Sequence, residues 1–263
     1  MLALKLALVA ASVLLASLAA RRFGHAIGGT VAGLPMIAGP IMGFVLLQEP
    51  LVSVRAIALA TLVCLPATIV HMLTFAWAAT RWRWAVAFVA ANAAFLASGL
   101  LLVRLQAAPV VACALALLAP ALGGLGMPRR RLAAAAVSIP RIELVCRVVA
   151  AIVMAWLIMR SAGVAPAAVS GLLLAIPITG NVLPCFTLPR HGAAATVALL
   201  AGFVRGLVGF ACFFVALYAG LARSTPAPAY ALAWLAALLA ALAMAALAQR
   251  ARQRQSASLP SAT

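Results

Sequence analysis

Apolar runs long enough to cross a lipid bilayer follow one another along this chain, with only short gaps between them. A membrane-spanning helix needs roughly 20 apolar residues, and hydrophobic residues make up 68% of the 263 residues. The runs lack the alternation of barrel strands, and backbone in lipid must satisfy its own hydrogen bonds. The sequence therefore predicts an all-α, polytopic bundle of transmembrane helices with the lipid bilayer as its main partner.

Nine spans are predicted, at 2–20, 26–47, 51–79, 84–104, 108–127, 142–160, 165–188, 193–222 and 228–248. They divide into two repeats of four to five helices with a linker and a tail. The boundaries are 1–127 for the first repeat, 128–141 for a cytoplasmic basic linker, 142–248 for the second, inverted repeat and 249–263 for a disordered cytoplasmic tail. The first run is interpreted as a retained helix because its charge is heavier after the run than before it.

The net charge of +17 comes from 19 basic and 2 acidic residues, and the basic residues cluster in the gaps between spans. Most of them lie in the odd-numbered loops and the tail. The positive-inside rule then puts the N-terminus outside and the C-terminus in the cytoplasm of a bacterial inner-membrane protein. No basic face interleaved with stacking aromatic residues is present in the sequence, so nucleic acid is not an expected partner.

Two of the predicted spans are interrupted by helix-breaking residues. The second span contains Pro35, Gly39 and Pro40 within GTVAGLPMIAGPIMGF, and the seventh contains Pro177 and Gly180 within SGLLLAIPITGNVLPCF. Proline removes an amide donor and clashes with the preceding turn, while glycine tolerates non-helical angles. We therefore expect both spans to break in the middle, at a depth where free backbone groups need a partner.

The two broken spans occupy corresponding positions in the chain. A shift of 142 residues lays Gly29 on Gly171 and Pro35 on Pro177. Five spans separate the starts of the two copies, an odd number, so the second copy is expected to be upside down. Inverted repeats with matching interrupted helices are typical of secondary transporters. Alternatively, the small residues only let helices pack closely, as Gly29-x-x-x-Gly33 would.

A solute site is predicted where the two breaks meet. The half-helix after a break offers free N–H groups and a positive dipole end, which suit an anion. Arg205 lies near mid-membrane, where it either attracts the anion or is neutralised by the carbonyls of a broken helix. The candidate substrate-binding residues are Pro35, Gly39, Pro40, Pro177, Thr179, Gly180, Asn181 and Arg205.

His71 is the histidine that falls within an apolar run. It is the candidate for proton coupling because an imidazole titrates near neutral pH. The alternative is a structural hydrogen bond to another helix. Asn92, Thr30 and Ser170 are further polar residues in the runs and weaker candidates for lining a site.

This two-copy plan with broken helices resembles the bile-acid-symporter and sodium–proton-antiporter group of carriers in architecture. The segments GLPMIAGP (33–40) and AIPITGN (175–181) are also similar to those of bacterial multi-pass membrane proteins of unassigned activity. The resemblance implies ten spans where nine are found here. The intramembrane carboxylates that carry protons or sodium in the antiporters are absent from the runs, so the resemblance implies carrier architecture and not their exchange mechanism.

The predicted function is secondary transport of a small, anionic solute by alternating access. The alternative is a non-transporting membrane subunit or assembly factor of a larger complex. No catalytic motif is present, so an enzyme is not expected. The sequence also predicts no cofactor and no metal site, because the five cysteines form no CxxC and fall in apolar runs. A homo-oligomer is left open.

Overall fold

The structure is a computed structural model that describes residues 25–128, 141–161 and 165–257, with single positions 7, 10, 11 and 14 before them. The described ranges form helices joined by short turns and contain no strand. The helices are α1 (His25–Gly33), α2 (Ala38–Gln48), α3 (Leu51–Ala78), α4 (Trp84–Arg104), α5 (Pro109–Gly126), α6 (Arg141–Ser161), α7 (Ala167–Ala175), α8 (Ile178–Gly220) and α9 (Pro226–Ala257).

Six described segments are long and apolar enough to cross a membrane. They are Ala26–Gln48, Leu51–Ala78, Trp84–Arg104, Pro109–Gly126, Ala167–Gly220 and Pro226–Leu247. The predicted all-α class is therefore confirmed for the described residues, and a multi-pass membrane architecture is compatible with these six segments, whereas nine spans were predicted. The predicted first span, 2–20, lies outside the described residues apart from single positions.

Both predicted helix breaks are present in the structure. α1 ends at Gly33 and α2 begins at Ala38, with Pro35 between them. α7 ends at Ala175 and α8 begins at Ile178, after Pro177. Each break coincides with a proline because its ring cannot accept the preceding turn of a helix and its nitrogen has no proton to donate.

The 43-residue helix α8 folds back on itself at Gly192. That glycine has φ 75° and ψ −179°, outside helical geometry. Thr179 and Phe203 nonetheless line the same cavity, although 24 residues of straight helix would separate them by ~36 Å. The chain therefore reverses at Gly192, and the two halves of α8, residues 178–191 and 193–220, lie side by side.

α3 and the second half of α8 form the centre of the structure. Their largest buried side chains include Phe75 and Leu65 from α3 and Phe213 and Leu200 from α8. In contrast, large apolar side chains on α4, α5 and α9 are exposed, among them Leu101, Leu125 and Leu242. These outer helices present the apolar faces that a lipid bilayer would cover.

The C-terminal region differs from the prediction. α9 continues to Ala257, nine residues into the segment expected to be a disordered tail from position 249. The residues concerned, QRARQRQSA, are mostly Ala, Arg and Gln, which are good helix formers and prolong a helix that is already formed. Positions 258–263 and most of the basic linker, 129–140, lie outside the described residues.

Candidate functional site

The ends of the two broken helices surround one cavity. The last residues of α1 and α7 and the first residues of α2 and α8 line it, and α3 and the second half of α8 complete its walls. The cavity volume is about 50 Å³, which is room for a few water molecules. The two interrupted helices therefore do meet, as the sequence predicted, with a small space between their ends.

Two threonine hydroxyls satisfy carbonyl groups at these ends. The last carbonyls of a helix have no intrahelical donor, and an unpaired one is costly inside a bilayer. The Thr179 hydroxyl donates to the Ala32 carbonyl of α1 (3.1 Å). The Thr68 hydroxyl donates to the Ala175 carbonyl of α7 (2.7 Å). Each broken helix is thus stabilised at its end by a side chain from another helix.

The starts of the half-helices after the breaks have no side-chain cap. Ile37 precedes α2 and Pro177 precedes α8, and neither side chain makes a capping hydrogen bond. Pro40 sits in the first turn of α2, where a missing N–H breaks no intrahelical bond. The positive ends of two helix dipoles consequently point into the region of the breaks.

Glycines hold the broken helices against the long ones. A Cβ atom on Gly29 would overlap the Leu199 carbonyl, and one on Gly206 would overlap the Thr30 carbonyl. On the other side, a Cβ atom on Gly171 would overlap Ala60 of α3. Such backbone-to-backbone contact needs residues without side chains. It fixes where each break lies along its partner helix.

A partly buried polar cluster lies one turn beyond the second break. His71 Nε2 lies 3.1 Å from Asn181 Oδ1, and the Asn92 amide nitrogen donates to the same oxygen (2.8 Å). Asn181 Nδ2 donates in return to Asn92 Oδ1 (3.2 Å). The His71 side chain is fully buried. Three polar residues that the sequence analysis named separately thus form one hydrogen-bonded cluster that joins α3, α4 and α8.

The remaining predicted site residues fall into two groups. Pro177 and Thr179 line the cavity, and Pro35 is buried within the first break. Gly39 instead packs against the Trp234 side chain of α9, and Gly180 packs against the Met72 side chain of α3. These two glycines therefore seat the half-helices that follow the breaks and do not face the cavity.

Arg205 is not among the residues that line the cavity. Phe203 and Leu207, on either side of it, do line it. At ~100° per residue a position two residues away points to the opposite side of a helix. In this structure Arg205, which is partly buried, is therefore directed away from the cavity.

The cavity wall also contains Thr68, Phe203 and Leu207, which were not predicted from the sequence. Thr68 carried a usable signal, since it is a hydroxyl within an apolar run and lies one helical turn before His71. Phe203 and Leu207 carried none, because an apolar side chain in an apolar run has no pattern that distinguishes a cavity from lipid.

The cavity wall defines what the site offers chemically. Its lining is apolar apart from two threonines and the backbone at the breaks, and none of these residues is charged. Among the described residues no group of three His, Cys, Asp or Glu side chains is placed to hold a metal ion. The site therefore offers hydrogen bonds, helix dipoles and apolar contact.

These features define a multi-pass α-helical membrane protein with two interrupted helices around a central cavity. Comparison with protein-family models, curated proteins and solved structures finds no match for the chain.

Proposed function

We propose that this chain is a secondary transporter that moves a small, anionic solute across the bacterial inner membrane by alternating access. The observation that carries the proposal is the meeting of two broken helices around one cavity. Irregular backbone at membrane depth persists where protein or a water-filled cavity satisfies it. Carriers use such crossing points to bind their solutes.

The bounds of the helices support a two-copy architecture. Adding 142 to the residue numbers of α1 gives Ala167–Ala175, the bounds of α7. The same shift moves α3 onto residues 193–220, the second half of α8, and moves the start of α4 onto Pro226, the start of α9. We propose that these elements are two inverted repeats within nine spans, with α6 as the counterpart of the first run.

The packing of the broken helices supports a two-fold relation between the copies. Gly29 packs against the backbone of Phe203, and Gly171 packs against the backbone of Thr61. A shift of 142 residues moves Gly29 onto Gly171 and Thr61 onto Phe203. The two contacts are therefore the same contact with the repeats exchanged, as a two-fold axis requires. With an odd number of spans between the copies, that axis lies in the membrane plane and inverts one copy.

The chemistry of the cavity favours a small organic anion with an apolar body. The starts of α2 and α8 have no side-chain cap and supply positive dipole ends, while the walls are apolar. A volume of about 50 Å³ is too small for such a solute, so we interpret the structure as a closed state. Attraction of the anion by Arg205 stays a prediction. Arg205→Ala with full transport and full affinity would contradict it.

The first test is the topology. Glu49→Cys and His191→Cys would be introduced separately into a chain without native cysteines, and intact cells would be labelled with a membrane-impermeant thiol reagent. These positions follow the two broken helices. We expect position 49 to label from outside and position 191 only after permeabilisation, which also places the C-terminus in the cytoplasm. Labelling of both from the same side would rule out the inverted repeat.

The second test is solute binding by the purified protein. A thermal-shift screen in nanodiscs would compare small carboxylates with amines and neutral amides of the same carbon skeleton. We expect saturable stabilisation by carboxylates alone. Purification only together with another protein, with no response to any solute, would favour the non-transporting subunit or assembly factor instead. The exposed apolar faces of α4, α5 and α9 would then be its docking surfaces.

A further inference from the structure

The polar cluster of His71, Asn92 and Asn181 connects the second break to two other helices. Asn181 lies in the first turn of α8, four residues after Pro177, while His71 belongs to α3 and Asn92 to α4. The hydrogen bonds of 2.8 to 3.2 Å hold the half-helix after the break against both. If that half-helix moves relative to α3, these bonds break.

A single backbone carbonyl sets the direction of every hydrogen bond in the cluster. Asn92 Nδ2 donates to the Phe88 carbonyl (2.8 Å), which can only accept. The other amide atom of Asn92 is therefore the oxygen, and it accepts from Asn181 Nδ2. Asn181 Oδ1 then faces His71 Nε2, so Nε2 carries the proton and donates. The neutral imidazole consequently has its lone pair on Nδ1.

His71 Nδ1 is buried and has no hydrogen-bond partner among the described residues. On its ring face lies Phe75, at 6.3 Å between ring centroids. The described helices that pack most extensively on α3, which are α2, α4, α5, α7 and α8, carry no carboxylate. Their titratable or charged side chains are Arg104, Cys113, Cys185, Arg190, His191, Arg205, Cys212 and Tyr218, and α3 itself adds Arg55 and Cys64. A second proton on His71 would create a buried cation that no described acid compensates.

The two-fold-related position on the other repeat has no such ionisable cluster. A shift of 142 residues relates His71 to Phe213, Asn92 to Trp234 and Asn181 to Gly39. Phe213 and Trp234 pack edge to face at 5.3 Å, and Gly39 packs on the Trp234 ring. Tyr230 closes this aromatic cluster with a hydrogen bond to the Gly39 carbonyl (3.0 Å). The half-helix after the first break is thus held by aromatic packing, and the one after the second break by hydrogen bonds.

We propose that the polar cluster is a proton-binding gate, in which protonation of His71 Nδ1 releases the half-helix of α8 that follows the second break. This inference rests on the proposed function, since a gate has a purpose only in a carrier. The ligand of the site is a proton taken from water. The aromatic cluster is the corresponding gate of the other repeat and does not respond to protons.

The direction of the pH effect follows from linkage. The closed cluster has no place for a second proton on His71, whereas an opened cluster exposes the ring to water, where an imidazole titrates near pH 6.5. The open state therefore binds more protons, and acidification shifts the equilibrium towards it. Below the imidazole pKa the ratio of open to closed molecules rises by up to ~10-fold per pH unit, as one proton allows.

Spin-label distances would test the gate without any solute. The labels would be carried by Arg81→Cys, beyond the end of α3, and Arg190→Cys, at the end of the first half of α8, in a chain without native cysteines. Both positions are exposed. We expect a second, longer distance to gain population between pH 8 and pH 5. Absence of any change in that range would overturn the proposal.

Substitutions would identify which side chain is responsible for the pH-dependent change in distance. His71→Gln keeps an N–H donor for Asn181 but cannot be protonated, so the distance should stay short at every pH. If the His71→Gln protein does not fold, His71→Asn is a second variant that cannot be protonated at this position. Asn181→Leu should populate the long distance at every pH. Trp234→Phe, in the aromatic cluster, is the matched control and should keep the pH response.

Persistence of the full pH response in both folded His71 variants would overturn the proposal. Failure of the gate and failure of the proposed transport function would give different results. A His71-dependent distance change without solute binding would argue against a carrier, whereas solute binding without the distance change would argue only against the gate.

Discussion

The hydroxyl of Thr179 donates a hydrogen bond to the carbonyl of Ala32, and this bond connects the two broken helices across 147 positions of sequence. Ala32 lies one residue before the end of α1, and Thr179 lies in the first turn of α8. The bond supplies a donor for a carbonyl near the end of a helix. It also means that the two broken helices cannot separate at this contact without leaving that carbonyl without its donor.

Thr179→Val should therefore destabilise the protein. The substitution keeps the shape of the side chain but leaves the Ala32 carbonyl without its donor, which costs about 1–3 kcal/mol when the group is buried. Thr80→Val is the matched control, because the Thr80 hydroxyl bonds to Trp77 at the exposed end of α3. Reversible unfolding in mixed detergent micelles would measure both. An equal decrease in the free energy of unfolding in the two variants would contradict a special role for the Thr179 hydrogen bond.

Gly29→Ala should be much more harmful than Gly124→Ala. The added methyl group of the first variant would overlap the backbone carbonyl of Leu199, which no side-chain rotation can relieve, and overpacking of this kind costs about 1–3 kcal/mol or more. A methyl group on Gly124 meets nothing within 4 Å, and alanine is favoured over glycine within a helix by about 0.5–1 kcal/mol. Size-exclusion profiles after heating would rank the variants. A stable Gly29→Ala protein would mean that α1 does not pack as described.

The turn at Gly192 gives a third prediction. With φ 75° and ψ −179°, this residue lies in a region that essentially only glycine occupies, at a cost of about 1–3 kcal/mol for other residues. Gly192→Ala and Gly192→Asn should both lower the unfolding temperature, because asparagine relieves the strain of left-handed helical angles but not of these. A steric clash would not cause this destabilisation, since a Cβ atom at position 192 meets nothing within 4 Å. Rescue by asparagine would contradict the described backbone angles.

The sequence predicted the all-helical, apolar character of the chain and its two helix breaks, because both depend on local chemistry. Pro35 and Pro177 lack an amide donor and disfavour the preceding helical turn, and apolar length indicates membrane helices. Proline alone does not decide a break, since Pro66 and Pro120 lie inside helices. The helices against which the broken helices pack could not be predicted. Nothing in the sequence around Gly29 indicates that it packs against the backbone of Phe203. The side of α8 on which Arg205 lies was equally hidden, since membrane helices apolar all round show no clear amphipathic period. His71 and Asn181 were both named, but their contact, 110 positions apart, needed the structure.

Filling the cavity should abolish solute binding without unfolding the protein. Ala32 lines the cavity and is only partly buried, so Ala32→Leu would project three further carbon atoms into a volume of about 50 Å³. Ala97→Leu is the matched control, because Ala97 is exposed on the outer face of α4, where lipid would cover either residue. We expect the carboxylate-dependent thermal shift to disappear in Ala32→Leu and to persist in Ala97→Leu, with both proteins eluting as a single species. A full shift in Ala32→Leu would place the solute elsewhere and leave the broken helices as packing devices.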